Sequence, residues 1–136
     1  MTTFLDTNVL LYSISDDPAE KAKHDRAIEI LREETCAMSV QVLQEFYVQA
    51  TRPTFSGSIS HELAVGFIEK WMRYPVQDMT LPVLMSALDI KARHRVSYWD
   101  AAIVAAAQAQ GCETLYSEDM AHGMAIGATR IVNPFL

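Results

Sequence analysis

The chain has 136 residues, half of them hydrophobic and 21% charged, with a formal charge of −6. That length supports one domain, residues 1–136, with a core that needs no staples, and no apolar run approaches the roughly 18 residues of a membrane span. The negative charge argues against a protein that coats nucleic acid by bulk attraction, but clustered carboxylates that hold a cation also count toward it.

The first residues, MTTFLDTN, have no basic segment and no cleavable apolar core, so a signal peptide is not expected. Cys36 and Cys112 are far apart and outside any CxxC spacing. They read as buried thiols in a reducing cytosol, with a disulfide between them left open.

TTFL (2–5) reads as a first strand, and Val9, Leu10 and Leu11 begin a short helix or turn. In DDPAE (16–20), Asp17 is an N-cap, Pro18 takes the first helical position and Glu20 closes a capping box. Ala27, Ile28, Ile30 and Leu31 form the buried stripe of that helix. CAMS (36–39) reads as a second strand, and Ser39 caps a helix to about residue 50. TRPTFSGS (51–58) is loop. Ser60 caps a helix through Trp71 and Met72, PVQDM (75–79) is a third strand, and Thr80 begins a helix to about Arg93. Ser97 starts a helix from Tyr98 to Gln110, which Gly111 ends. ETLYS (113–117) and TRIVN (129–133) are the fourth and fifth strands. Strands alternating with helices imply an α/β fold with a mostly parallel sheet and helices on both faces. AAIVAAAQA (101–109) is apolar almost all round and is expected to be deeply buried.

Ligand sites in such folds lie beyond the carboxyl ends of the strands. Asp6 follows the first strand, Glu45 lies about two turns into the helix after the second, and Asp100 opens the alanine-rich helix. Asp119 follows the fourth strand, so three of the four acids are expected just past a strand. Each has a plain alternative. Asp6 and Asp100 suit helix caps, and Asp119 suits a solvated loop. Glu45 suits a solvated helix position, although Val42, Phe46 and Val48 leave only a narrow polar face, shared with Gln41, Gln44 and Gln49. Together the acids would repel one another unless a cation sat among them. With no histidine or cysteine nearby to suggest zinc, Mg²⁺ or Mn²⁺ is the expected ion.

LDTNVLL, SVQVLQEFY, YWDAAIVAAA and LYSEDM resemble, in order and spacing, the PIN domain, and more narrowly the VapC-like toxins of type II toxin–antitoxin pairs. The resemblance spans essentially the whole chain. It implies a three-layer α/β/α sandwich around a parallel sheet of four or five strands. It implies a metal-dependent endoribonuclease in which Asp6, Glu45, Asp100 and Asp119 form the acidic quartet. Asp6 and Asp100 would be central metal ligands, with Asp119 and Glu45 acting directly or through water. Thr7, Asn8 and Ser117 would organise the site. Glu118 competes with Asp119 for the fourth place. The expected products are a 5′-phosphate and a 3′-OH, left by metal-activated water. The resemblance also implies a cognate antitoxin, a homodimer and a cytoplasmic location.

Arg93 and Arg95 in KARHR (91–95), and Arg52 more weakly, are candidates for RNA phosphates; cations at a helix C-terminus are the alternative. His24, His61, His94 and His122 lack ligand spacing and read as surface or satisfied histidines. Tyr98 and Trp99 read as core before they read as base-stacking residues. Leu10, Leu11, Tyr12, Phe67, Ile68 and Trp71 suit either a partner groove or an ordinary core. Two rivals remain. A haloacid-dehalogenase-like phosphatase would need an aspartate where Asn8 stands. A non-catalytic PIN-like binding module would have no need of all four acids.

Overall fold

A computed structural model describes residues 1–54 and 57–136 of the chain. Six strands form one sheet: β1 (Thr2–Leu5), β2 (Thr35–Ser39), β3 (Val76–Gln77), β4 (Thr114–Tyr116), β5 (Ala125–Ile126) and β6 (Thr129–Val132). Their spatial order is β3-β2-β1-β4-β6-β5, all pairs parallel except β5 with β6. The flanking helices are α1 (Thr7–Ser13), α2 (Lys21–Glu33), α3 (Val40–Ala50), α4 (His61–Trp71), α5 (Leu81–Arg93) and α6 (Tyr98–Ala109).

β1 is central because it can bury both faces, and Phe4 and Leu5 are fully buried. The chain leaves β1 toward β2 on one side and later returns as β4 on the other. This reversal of strand order places a crevice at the carboxyl end of β1. Leu5 pairs with Tyr116, and the Asp6 amide extends the ladder by donating to the Tyr116 carbonyl at 3.0 Å. Asp6 and Ser117 therefore leave adjacent strands side by side.

Most helix starts follow their caps. Ser39, Ser60, Thr80 and Ser97 accept from the backbone amides of Val42, Leu63, Val83 and Asp100. Gly111 takes φ +69° just past α6, the left-handed stop that glycine permits. Ala101 through Ala107 are buried along α6, as the pattern predicts. These small side chains leave no room to grow, so Ala102→Leu is expected to cost about 1–3 kcal/mol, read as a lower urea midpoint.

Several expectations need correction. The sheet has six strands, not four or five; the two-residue β5 is too short to leave a periodic signal. α1 starts at Thr7 rather than Val9, because Asp6 already caps it. Pro18 heads a 3₁₀ turn (Pro18–Glu20), and Asp17 caps it by accepting from Ala19 N. Glu20 closes no capping box on Asp17; its carboxylate accepts from Ser15 Oγ at 2.7 Å. Asp100 follows α5 rather than a strand, so two acids, not three, lie just past strand ends. Val48 and Trp99 are exposed, not packed inward. In the 51–58 loop, Phe55 and Ser56 lie outside the described residues. Leu10 and Trp71 are core, and Leu11, Tyr12, Phe67 and Ile68 pack partly buried against it. Cys36 and Cys112 are free buried thiols, and burial pushes Cys36 up to about 11.

Candidate functional site

Asp6 is both a cap and a member of a cluster. Its Oδ1 accepts from Thr7 N at 2.7 Å, and its Oδ2 accepts from Ser117 Oγ at 2.7 Å. Only 3% of the residue is exposed. Burial pushes its carboxyl up to about 6 from 3.8, against the lowering bonds from Ser117 and Thr7, and the charges of Asp119 and Glu45 push further.

The residues after Asp6 hold two of the other acids. Thr7 Oγ1 donates to Glu45 Oε1 at 3.1 Å. Asn8 Nδ2 donates to Asp119 Oδ2 at 3.2 Å, and Asn8 Oδ1 accepts from Glu118 N at 3.4 Å. Ser117 Oγ also accepts from Asp119 N at 3.2 Å. The first turn of α1 is thus a bracket between α3 and the turn after β4. Glu45 and Asp100 are both half-buried. Burial raises both carboxyls. Asp100 and Asp119 raise Glu45 further, against bonds from Thr7 and Gln41; Asp119 raises Asp100 further, against Ser97. The charge of Asp119 therefore acts on all three of the others.

Glu118 turns elsewhere. Its carboxylate accepts from Tyr12 OH and from Lys23 Nζ, each at 2.6 Å. Burial would raise this carboxyl, but the two donors outweigh it and hold it below the usual range. Lys23 and Tyr12 had no signal in the sequence, because they lie 95 and 106 residues from their partner.

The cations spread out. Arg52, Arg93 and Arg95 are exposed; Arg93 donates to Asp89 at 3.0 Å within α5, and Arg52 lines a pocket with Glu45. Three of the four histidines bond to protein groups. His24 Nδ1 donates to the Tyr12 carbonyl, His61 shares a hydrogen bond with Tyr47 OH, and His122 Nδ1 accepts from Asn133 N.

Among the described residues, no three acid, histidine or cysteine side chains close into a ready-made metal cage. The donor set nonetheless suits a hard divalent ion that keeps several waters. All four groups are carboxylates, and each of the three with a raised carboxyl is strained by a neighbouring acid.

Asp6 sets a pH dependence without metal. The folded chain holds this proton more tightly than the unfolded one, so its stability falls as pH rises through about 4 to 6 and levels off above. The contribution is on the order of 3 kcal/mol. Urea midpoints from pH 4 to 8 are expected to show it as the difference between wild type and Asp6→Asn.

A family model described as "PIN domain" matches residues 3–122. The chain belongs to the PIN domain family. All four acids lie within the matched span. No curated protein matches the sequence. Solved structures share the fold of this PIN domain at low identity. VapC20 of Mycobacterium tuberculosis, described as a sarcin-ricin loop cleaving toxin, is 22% identical with a TM-score of 0.67, covering 86% of this chain and 89% of that one. A toxin–antitoxin complex from Klebsiella pneumoniae is 17% identical with a TM-score of 0.72, covering 97% of each chain. VapBC2 from Rickettsia felis, bound to a DNA fragment from its promoter, is 17% identical with a TM-score of 0.67, covering 96% and 97%. The PIN domain therefore has a VapC-like toxin fold, and the haloacid-dehalogenase reading loses its support.

Proposed function

We propose that this PIN domain is a divalent-cation-dependent endoribonuclease, the toxin of a type II toxin–antitoxin pair. The observation that carries the reading is the bracket at the carboxyl end of β1: Ser117, Thr7 and Asn8 bond Asp6, Glu45 and Asp119 around the first turn of α1, and the charge of Asp119 also raises the Asp100 carboxyl. A charge cluster of this kind costs the fold stability beyond what the Asp6 cap alone requires. The descriptions of the similar structures support the toxin assignment.

Asp6, Asp100 and Asp119 would hold Mg²⁺ or Mn²⁺, with Glu45 acting directly or through water. When bound, the ion supplies positive charge against the phosphate and lowers the pKa of water beside it. The chain's own groups set the geometry. Ser117 Oγ and Thr7 N fix the plane of the Asp6 carboxylate, Thr7 Oγ1 restrains Glu45, and Asn8 restrains Asp119. The raised carboxyl of Glu45 suits it to accept a proton from the attacking water. In-line attack then expels the 3′ oxygen, leaving a 5′-phosphate and a 3′-OH. A single domain, a cytoplasmic location, a cognate antitoxin and a homodimer belong to the same reading. Among the described residues, no helix is long and apolar enough to cross a membrane.

The test is RNA incubated with purified protein and Mn²⁺, beside an EDTA control and an Asp6→Ala control. Cleavage confined to the first sample is expected. Identical RNA in all three would favour a non-catalytic binding module, and a 2′,3′-cyclic phosphate product would overturn the mechanism.

A further inference from the structure

Gln41, Glu45, Gln49 and Arg52 follow one another at helical spacing along α3 and just beyond its end. With Gln44 and Trp99 they line a pocket of about 360 Å³. Glu45 belongs to both the pocket and the acid cluster, and Trp99 precedes Asp100. The pocket therefore opens beside the site where a phosphodiester would be cut.

Two features mark it as built for an occupant. Trp99 is 61% exposed, and its indole meets Tyr98 only edge-on, with ring centroids 5.1 Å apart and planes at 76°. Gln41 is only 7% exposed, and its Nε2 donates to the Trp99 carbonyl at 3.1 Å, which fixes the backbone under the indole. Its Oε1 is buried with no donor among the described residues. A buried amide oxygen without a donor is a standing cost that an arriving N–H relieves. At the mouth, Arg52 is exposed and makes no ion pair among the described residues.

We infer that this pocket is a nucleobase subsite: one unpaired base of an RNA strand stacks on Trp99, with its phosphate on Arg52 and its exocyclic amino group presented to Gln41. The inference rests on the ribonuclease reading for its substrate. Aromatic stacking recognises splayed single-stranded bases, and guanidinium groups pair with phosphates. Taking the base requires the Gln41 amide to turn toward the pocket, since Oε1 is buried in the free chain. Adenine, with its larger stacking face and its exocyclic amino group, is preferred over uracil.

The test uses hexaadenylate and hexauridylate with the full chain in EDTA, where no cleavage occurs. Trp71 is buried, so acrylamide quenching of tryptophan fluorescence reports on Trp99. Hexaadenylate is expected to shield Trp99 and to bind more tightly than hexauridylate. Trp99→Ala should weaken hexaadenylate binding about 5- to 50-fold with an unchanged melting temperature, while Trp99→Phe restores most of it. Arg52→Ala should weaken both oligomers and reduce the salt slope by about one. Gln41→Leu should narrow the difference between them. Equal hexaadenylate affinity for wild type and Trp99→Ala overturns the subsite, even if Mn²⁺-dependent cleavage is intact. Trp99-dependent binding in a protein that cleaves no RNA upholds the subsite and removes the nuclease reading instead.

Discussion

Asp6→Asn is expected to reduce Mn²⁺-dependent RNA cleavage by at least about 10³-fold while making the metal-free protein more stable. The two effects have one cause. The carboxylate is buried beside two other acids, and folding must keep it there. Asparagine keeps the Oδ1 acceptor for Thr7 N and places an N–H toward Ser117 Oγ, which already accepts from Asp119 N. The charge goes and the shape stays. At pH 7.5, well above the raised value of about 6, the gain is up to about 3 kcal/mol. Paired denaturation and cleavage assays check this. Were Asp6 only a cap, asparagine would serve nearly as well and the cleavage rate would not move, although the stability would still rise.

Neighbouring acids are expected to separate just as sharply. Asp119→Asn should lower cleavage about 100-fold or more, because it removes one of the three proposed cation ligands. Glu118→Gln should stay within about fivefold of wild type. Glu118 is committed to Lys23 and Tyr12, and the pair is partly exposed, so its loss should cost no more than about 1 kcal/mol of stability. Single-turnover cleavage rates and urea midpoints of the two variants check both halves. Equal loss of activity in the two would mean that the Lys23–Glu118 contact matters as much as the acid beside it.

Much of the fold was legible because local signals agreed. Ser39, Ser60, Thr80 and Ser97 each sit where a cap is needed, and Gly111 marks the end of α6. The alanine run of α6 declared its own burial. The two-residue β5 has no such signal, since its pairing with β6 depends on a turn and not on periodicity. The four acids could be nominated by their order along the chain. What joined them could not. Thr7 reaches Glu45 and Asn8 reaches Asp119 across 38 and 111 residues, contacts that only the assembled sheet creates. The choice between Glu118 and Asp119 had the same limit, because it turns on Lys23 and Tyr12. Trp99 misled for a simpler reason. Its place in an apolar sequence suggested core, but the first turn of α6 projects it outward beside Asp100.

Mn²⁺ titration of the RNA-free protein by calorimetry tests the central claim most directly: that these acids act as one cation site. Saturable binding is predicted near pH 6, with proton release because Asp6 is partly protonated there. Asp6→Asn and Asp100→Asn should each weaken binding at least about tenfold, and Glu118→Gln should leave it nearly unchanged. No saturable binding, or equal affinity in wild type, Asp6→Asn and Asp100→Asn, would contradict the account.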